Sequence, residues 1–240
     1  MRFCGVELSS IHPAISIAKE IRPGTPARDV LTISGTRGET VAGTRTKQGE
    51  YTVRVNIAAK STQEAWEALA ALNAWARASG EKTGVLEPTH WPGKAYDAIL
   101  SDIQAPEFRF GFGTVEVIFI LPRPYAYDLI QRQSKGVEEI VLRIGGTETA
   151  RPEISIKTET TERVTLLLDG EYIFMARGKY KGKVLTVDFA RGTVTYDGEP
   201  AEKDVDFNTT DWHPAFTPGQ HVLTCEGGKT LEGRWHDEWA

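Results

Sequence analysis

Most of this 240-residue chain is written in one pattern: short runs with an apolar residue at every second position, separated by turns that contain glycine. Thr52-Val53-Arg54-Val55-Asn56-Ile57 is the clearest run. Side chains of an extended backbone point alternately to opposite faces, so such a run buries one face and solvates the other. Val115, Val117, Phe119 and Leu121 repeat the pattern over Thr114 to Leu121, where Ile118 and Ile120 make both faces apolar at the end. Val164 to Leu168, Val184 to Phe189, Thr193 to Tyr196 and the short Ile154-Ser155-Ile156 follow. Asp169-Gly170, Asp197-Gly198 and Pro218-Gly219 stand between runs, where glycine supplies the positive φ of tight turns. Short strands at this spacing predict a β-sandwich or barrel.

One segment breaks the pattern. Ser61-Thr62-Gln63-Glu64 fits a capping box, in which the serine hydroxyl and the glutamate satisfy each other's free amides. Trp66, Leu69, Leu72 and Trp75/Ala76 then recur at helical spacing. Arg77-Ala78-Ser79-Gly80 closes the segment with a cation and a glycine. A single helix packed on a sheet is expected, its apolar stripe serving the core. A boundary is expected after Pro122-Arg123-Pro124-Tyr125-Ala126-Tyr127-Asp128, where proline ends a strand, giving domains 1–128 and 129–240. Gly145 to Pro152 reads as a pivot or turn into the second, all-strand half.

A search for chemistry returns little. The net charge of −5 argues against a nucleic acid as the main partner, because phosphate binding wants a concentrated basic surface. No apolar run approaches membrane-spanning length, and no apolar stretch of signal-peptide length follows the N-terminus, so maturation in the cytoplasm is expected. Cys4 and Cys225 form no disulfide framework and read as two buried or half-buried thiols. Of five histidines none has a metal-ligand spacing. His236-Asp237-Glu238 reads as a solvated polar tail, since consecutive side chains on a strand diverge. The nucleophile elbow, the P-loop and the dinucleotide fingerprint are missing, so no enzyme activity, catalytic residue, metal or cofactor is implied. A glycosidase, whose two carboxylates meet only in space, is the activity that spacing alone leaves open.

Two other features admit a functional reading. Gly35 to Gly49 is a polar, glycine-bearing segment with Arg37, Gly38, Arg45 and Lys47 in it and Arg54 close by. It is either a mobile surface hairpin or an arm that reaches a neighbouring subunit. Trp212, Trp235 and Trp239 cluster in the β-rich second half, where they either cover a core or interface or form a platform for sugars. On the second reading the chain is a carbohydrate-binding module for host cell-wall glycans.

The order of several weak motifs is more informative than any one of them. Phe3-Cys4-Gly5-Val6, Arg37-Gly38 in its hairpin, the strand Tyr51 to Ala58, the tryptophan-bearing helix and Ala95-Tyr96-Asp97-Ala98-Ile99-Leu100 come in sequence. The strand Thr114 to Leu121 then runs into Pro122-Arg123-Pro124-Tyr125-Ala126-Tyr127-Asp128. Gly146 to Ile156, Val184 to Asp188, Thr193 to Gly198, Phe216 to His221 and Gly233-Arg234-Trp235 continue it to the end. This succession resembles the distal tail proteins of siphophages over nearly the whole chain, with His221 standing where that family has asparagine. The resemblance implies an N-terminal β-barrel-like domain with one helix and a protruding hairpin, the belt, and a C-terminal galectin-like β-sandwich. It implies a hexameric ring in a virion tail tip, assembled in the host cytoplasm, with DNA passing through. Its partners would be the tail tube protein, the tail-associated hub or lysin protein and receptor-binding proteins, with neither sequence-specific nucleic acid binding nor membrane insertion. A tube or tail-terminator subunit is the rival within the same particle.

Overall fold

The computed structural model describes the whole chain except residues 25, 26, 36, 37, 105, 107, 160, 161 and 178–180. The chain divides into two compact units, Met1–Tyr127 with Ala240, and Asp128–Trp239. The chain is mainly β, with antiparallel pairing in all four of the sheets among the described residues and one α-helix.

In the first unit the strands are β1 (Arg2–Phe3), β2 (Val6–Glu7), β3 (Ile15–Ile21), β4 (Arg28–Gly35), β5 (Gly38–Thr46) and β6 (Gly49–Ala58). After the helix α1 (Thr62–Ala76) come β7 (Gly84–Glu87), β8 (Lys94–Ile103) and β9 (Phe112–Leu121). The main sheet runs β2-β1-β7-β8-β9-β6-β3. Its centre is the pairing of β6 with β9, in unbroken register from Gly49↔Leu121 to Ala58↔Phe112. That register puts Tyr51, Val53, Val55 and Ile57 on the same buried face as Val115, Val117, Phe119 and Leu121. The alternation in sequence is what makes this register unique, because a slip of one residue would expose the whole apolar set.

Helix α1 starts as its cap dictates but with one change. The Ser61 hydroxyl accepts from the Glu64 amide at 3.1 Å, while the Glu64 carboxylate accepts from the Lys60 amide at 2.6 Å, one residue upstream of the reciprocal box. The buried face also differs from the expected stripe. Ala65, Ala68, Leu72, Trp75 and Ala76 are buried, whereas Trp66 is 55% exposed and meets Phe108 edge-on at 5.3 Å. The spacing is helical on either face, and size misleads: alanines let the helix approach its neighbours closely, while the bulky Trp66 stands outside. Trp75 is the anchor, in T-shaped contact with Phe3 at 5.8 Å and Phe119 at 6.1 Å, with its indole N–H donated to the Val6 carbonyl at 2.9 Å.

Past β10 (Ala126–Asp128), the second unit contains β11 (Arg132–Gly136), β12 (Glu139–Ile144), β13 (Glu153–Thr158), β14 (Arg163–Leu168), β15 (Glu171–Arg177) and β16 (Val184–Asp188). β17 (Thr193–Tyr196), β18 (Glu199–Pro200), β19 (Gly219–Glu226), β20 (Gly228–Trp235) and β21 (Glu238–Trp239) complete it. Two sheets, β11-β20-β13-β16-β17-β18 and β12-β19-β14-β15, enclose one apolar core in which Phe174 and Phe216 are wholly buried, with Leu142, Ile154, Leu231 and Trp235 among their companions. This is the β-sandwich expected from short alternating strands.

The C-terminal segment is not a solvated tail. Asp237 is fully buried and Glu238 is 7% exposed. One Asp237 carboxylate oxygen accepts from the Gly145 amide at 2.8 Å and the other lies 2.6 Å from the Arg132 guanidinium. The Glu238 carbonyl accepts from the amides of Thr147 and Glu148 at 2.9 and 3.1 Å. Gly145 to Glu148 thus clamps the end of the unit's chain, and a buried charge is tolerated because it is paired and hydrogen-bonded. The thiols differ from expectation in one respect as well: Cys225 is buried, but Cys4 is exposed, at a backbone φ of 49°.

Candidate functional site

The polar segment beginning at Gly35 is the returning half of a longer hairpin. β4 pairs with β5 from Arg28↔Thr46 to Gly35↔Gly38, and these two strands form a sheet of their own. The register of the first strand shifts between Leu31 and Thr32, so its apolar residues Val30, Leu31 and Ile33 do not alternate. The base of the hairpin is closed three ways. The Lys47 amide donates to the Ala27 carbonyl at 2.8 Å, the Lys47 ammonium lies 2.9 Å from an Asp29 carboxylate oxygen, and the Thr46 and Tyr125 hydroxyls stand 3.2 Å apart. Of the residues singled out from sequence, Gly38 opens β5 opposite Gly35, Arg45 stands in β5 opposite Asp29, and Lys47 follows the strand. Arg37 lies outside the described residues.

The three tryptophans do not share one environment. Trp235 is in the sandwich core and only 4% exposed, so it presents no face to a sugar. Trp212 is half-buried, packed against that core and edge-on to Phe174 with ring centres 6.4 Å apart. Trp239 donates its indole N–H to the Asp128 carboxylate at 3.1 Å.

Sequence reading passed over a buried polar cluster in the first unit. The Glu20 carboxylate, its side chain 8% exposed, accepts from the Tyr51 hydroxyl at 2.7 Å and from the Thr89 amide, and the His90 ring nitrogen Nδ1 lies 3.0 Å away. The N-terminal amine donates to the Thr89 hydroxyl at 2.8 Å. Burial alone would raise the Glu20 carboxyl, but the hydrogen bonds from Thr89, Tyr51 and His90 together outweigh it and hold the group below its ordinary 4.5. Tyr51 is pushed well above its usual range by burial and by the same carboxylate. A carboxyl depressed by folding contributes stability that is present above its unfolded value and lost as pH falls through the folded one. The first unit is therefore expected to lose stability below about pH 4.5. Glu20→Gln should flatten that part of a melting-temperature profile taken from pH 7 to 3; an unchanged slope would show that other carboxylates dominate acid unfolding. This cluster ties β3 to the turn after β7.

Among the described residues no group of histidine, cysteine, aspartate and glutamate is placed to hold a metal ion, and no helix is long and apolar enough to cross a membrane.

Residues 145–239 match the family described as the siphovirus-type tail component, C-terminal domain. That match covers most of the second unit and less than half of the chain. Over its full length the chain has the fold of the Dit protein of phage SPP1, described as a paradigm of the hub adsorption apparatus in phages infecting Gram-positive bacteria. That likeness covers 100% of this chain and 98% of the SPP1 chain at a TM-score of 0.76, with 13% sequence identity. A chain of the phage P2 baseplate in its activated, calcium-bound conformation is more distantly similar. Its TM-score is 0.51 at 10% identity, over 93% of this chain and 90% of that one. No curated protein matches the chain at a significant level.

Proposed function

We propose that this chain is the distal tail subunit of a siphophage or prophage, six copies of which close a ring. That ring would join the tail tube above to the tail-associated hub protein below and leave a passage for DNA. The observation that carries the reading is the β4–β5 hairpin. A two-stranded sheet by itself is marginal in water, and this one pairs with no other strand among the described residues. Its unpaired edges offer backbone donors and acceptors that a neighbouring copy can cover. A head-to-tail contact of one arm with the next subunit closes into a ring when the rotation is right. The full-length fold likeness to a hub protein of another phage supports the same role.

Light scattering coupled to size exclusion tests it. Six copies of the 26.5 kDa chain should give a mass of about 159 kDa with an open ring in negative-stain images. Open-ended stacks would indicate a tube subunit instead. A monomer that persists at high concentration and in the presence of tail extract would count against ring closure.

A further inference from the structure

The second unit contains an electrostatic feature that neither the sandwich nor the ring requires. Arg163 opens β14 and Arg177 ends β15, and the register sets them directly opposite each other. Like charges in opposed positions of an antiparallel pair repel. Neither guanidinium has an ion-pair partner among the described residues, nor has Lys203 in the short turn Glu202–Asp204. All three cations are exposed and line one cleft of about 590 Å³ together with Met175, Phe207 and Asn208. Two carboxylates also line it, but both are occupied by the fold. Asp204 is buried, and Asp206 accepts from the Asn208 amide at 3.0 Å and the Thr209 hydroxyl at 3.2 Å.

Two further observations narrow the ligand. Phe207 is 62% exposed, yet it is backed by Trp212 at 6.4 Å between ring centres, and Trp212 in turn leans on Phe174 in the core. An aromatic face held in place and open to water suits the apolar face of a sugar ring. A peptide adding itself as a strand is disfavoured, because the edge of β15 is already covered. Ala176 is bridged to Val205, the Asp206 amide donates to the Met175 carbonyl at 2.9 Å, and the Asp211 amide donates to the Ile173 carbonyl at 2.8 Å.

We propose that this cleft binds an anionic saccharide, a sugar bearing a carboxylate or a phosphate. Arg163 and Arg177 grip the oxyanion, Lys203 adds charge, and the ring stacks on Phe207. Guanidinium forks match both oxyanions bidentately, so the geometry sets the class of ligand and the experiment separates its two members.

Calorimetric titrations of the full chain at low salt, with four probes, test this. The probes are a glucuronate oligosaccharide, a sugar phosphate, a neutral oligosaccharide of matched length and hexaglutamate. One or both anionic sugars should bind, more weakly as salt rises, and which of them binds names the oxyanion. Arg163→Ser with Arg177→Ser should weaken that binding by about tenfold or more, and Phe207→Ala by about fivefold. Because each arginine substitution relieves a like-charge contact, these variants should melt no lower than the parent, which separates lost binding from lost folding. Three results would each overturn the proposal: no heat with either anionic sugar, equal binding by the double variant, or equal binding of the neutral sugar or the peptide.

Discussion

A chain in which residues 28–46 are replaced by Asn-Gly, linking Ala27 to Lys47 through that turn, is expected to fold as the parent does and to remain a monomer under conditions where the proposed function has the parent close a ring. The geometry makes the excision mild. Ala27 and Lys47 are already bonded across the base of the hairpin, so a two-residue turn can link them without moving β3 or β6. The excised strands belong to a sheet of their own, so none of the pairings of the main sheet is lost. Among the described side chains, the Thr46 hydroxyl contact to Tyr125 and the Lys47–Asp29 pair disappear with the hairpin. Exposed pairs of that kind stabilise by roughly 0–1 kcal/mol, so melting should change little. The effect on mass should be large, from about 159 kDa to 26.5 kDa less the excised residues. A ring of unchanged mass from the shortened chain would eliminate the hairpin as the closing arm.

Alanine at Gly146 is expected to lower the stability of the second unit by about 3–5 kcal/mol, near the upper end of single-substitution effects. Two causes add. Gly146 has a φ of +83°, a region that costs an L-residue roughly 1–2 kcal/mol. A Cβ built there would also collide with the Glu238 carbonyl oxygen, which is backbone and already bonded to the Thr147 and Glu148 amides. The clamp would have to open, loosening the buried Asp237 and its pair with Arg132. Gly170 is the control. Its φ is +89° but nothing stands within 4 Å of a Cβ, so Gly170→Ala should cost only about 1–2 kcal/mol. Thermal melts of the two variants compare the terms directly. Equal losses would mean that the close approach of Glu238 contributes nothing.

Legibility in the sequence followed the range of the interaction. Strands β6, β9 and β17 and the cap of α1 could be read because their signals are local: alternation over consecutive residues, a turn with glycine, a serine three residues before the amide it caps. The errors arose where local signals were sound and the partner was remote. Trp66 and Ala65 are neighbours on α1, and which of them faces the sheet depends on how the helix is laid down. His236-Asp237-Glu238 carries the composition of an exposed tail, yet Asp237 is buried because Arg132 and Gly145, about a hundred residues away, come to meet it.

The sequence by itself therefore determined a mainly β chain with one capped helix, along with the succession of motifs that resembles distal tail proteins. Both are properties of residue order and of side-chain periodicity, which exist before any folding. Tertiary structure alone decided that β4 and β5 stand apart as a sheet, that Trp235 is core rather than platform, and that Arg163 and Arg177 are paired neighbours in the wall of one cleft. Each of these depends on a register or on a long-range pairing. No local propensity encodes such pairings, because their free energy arises only when distant surfaces leave water together.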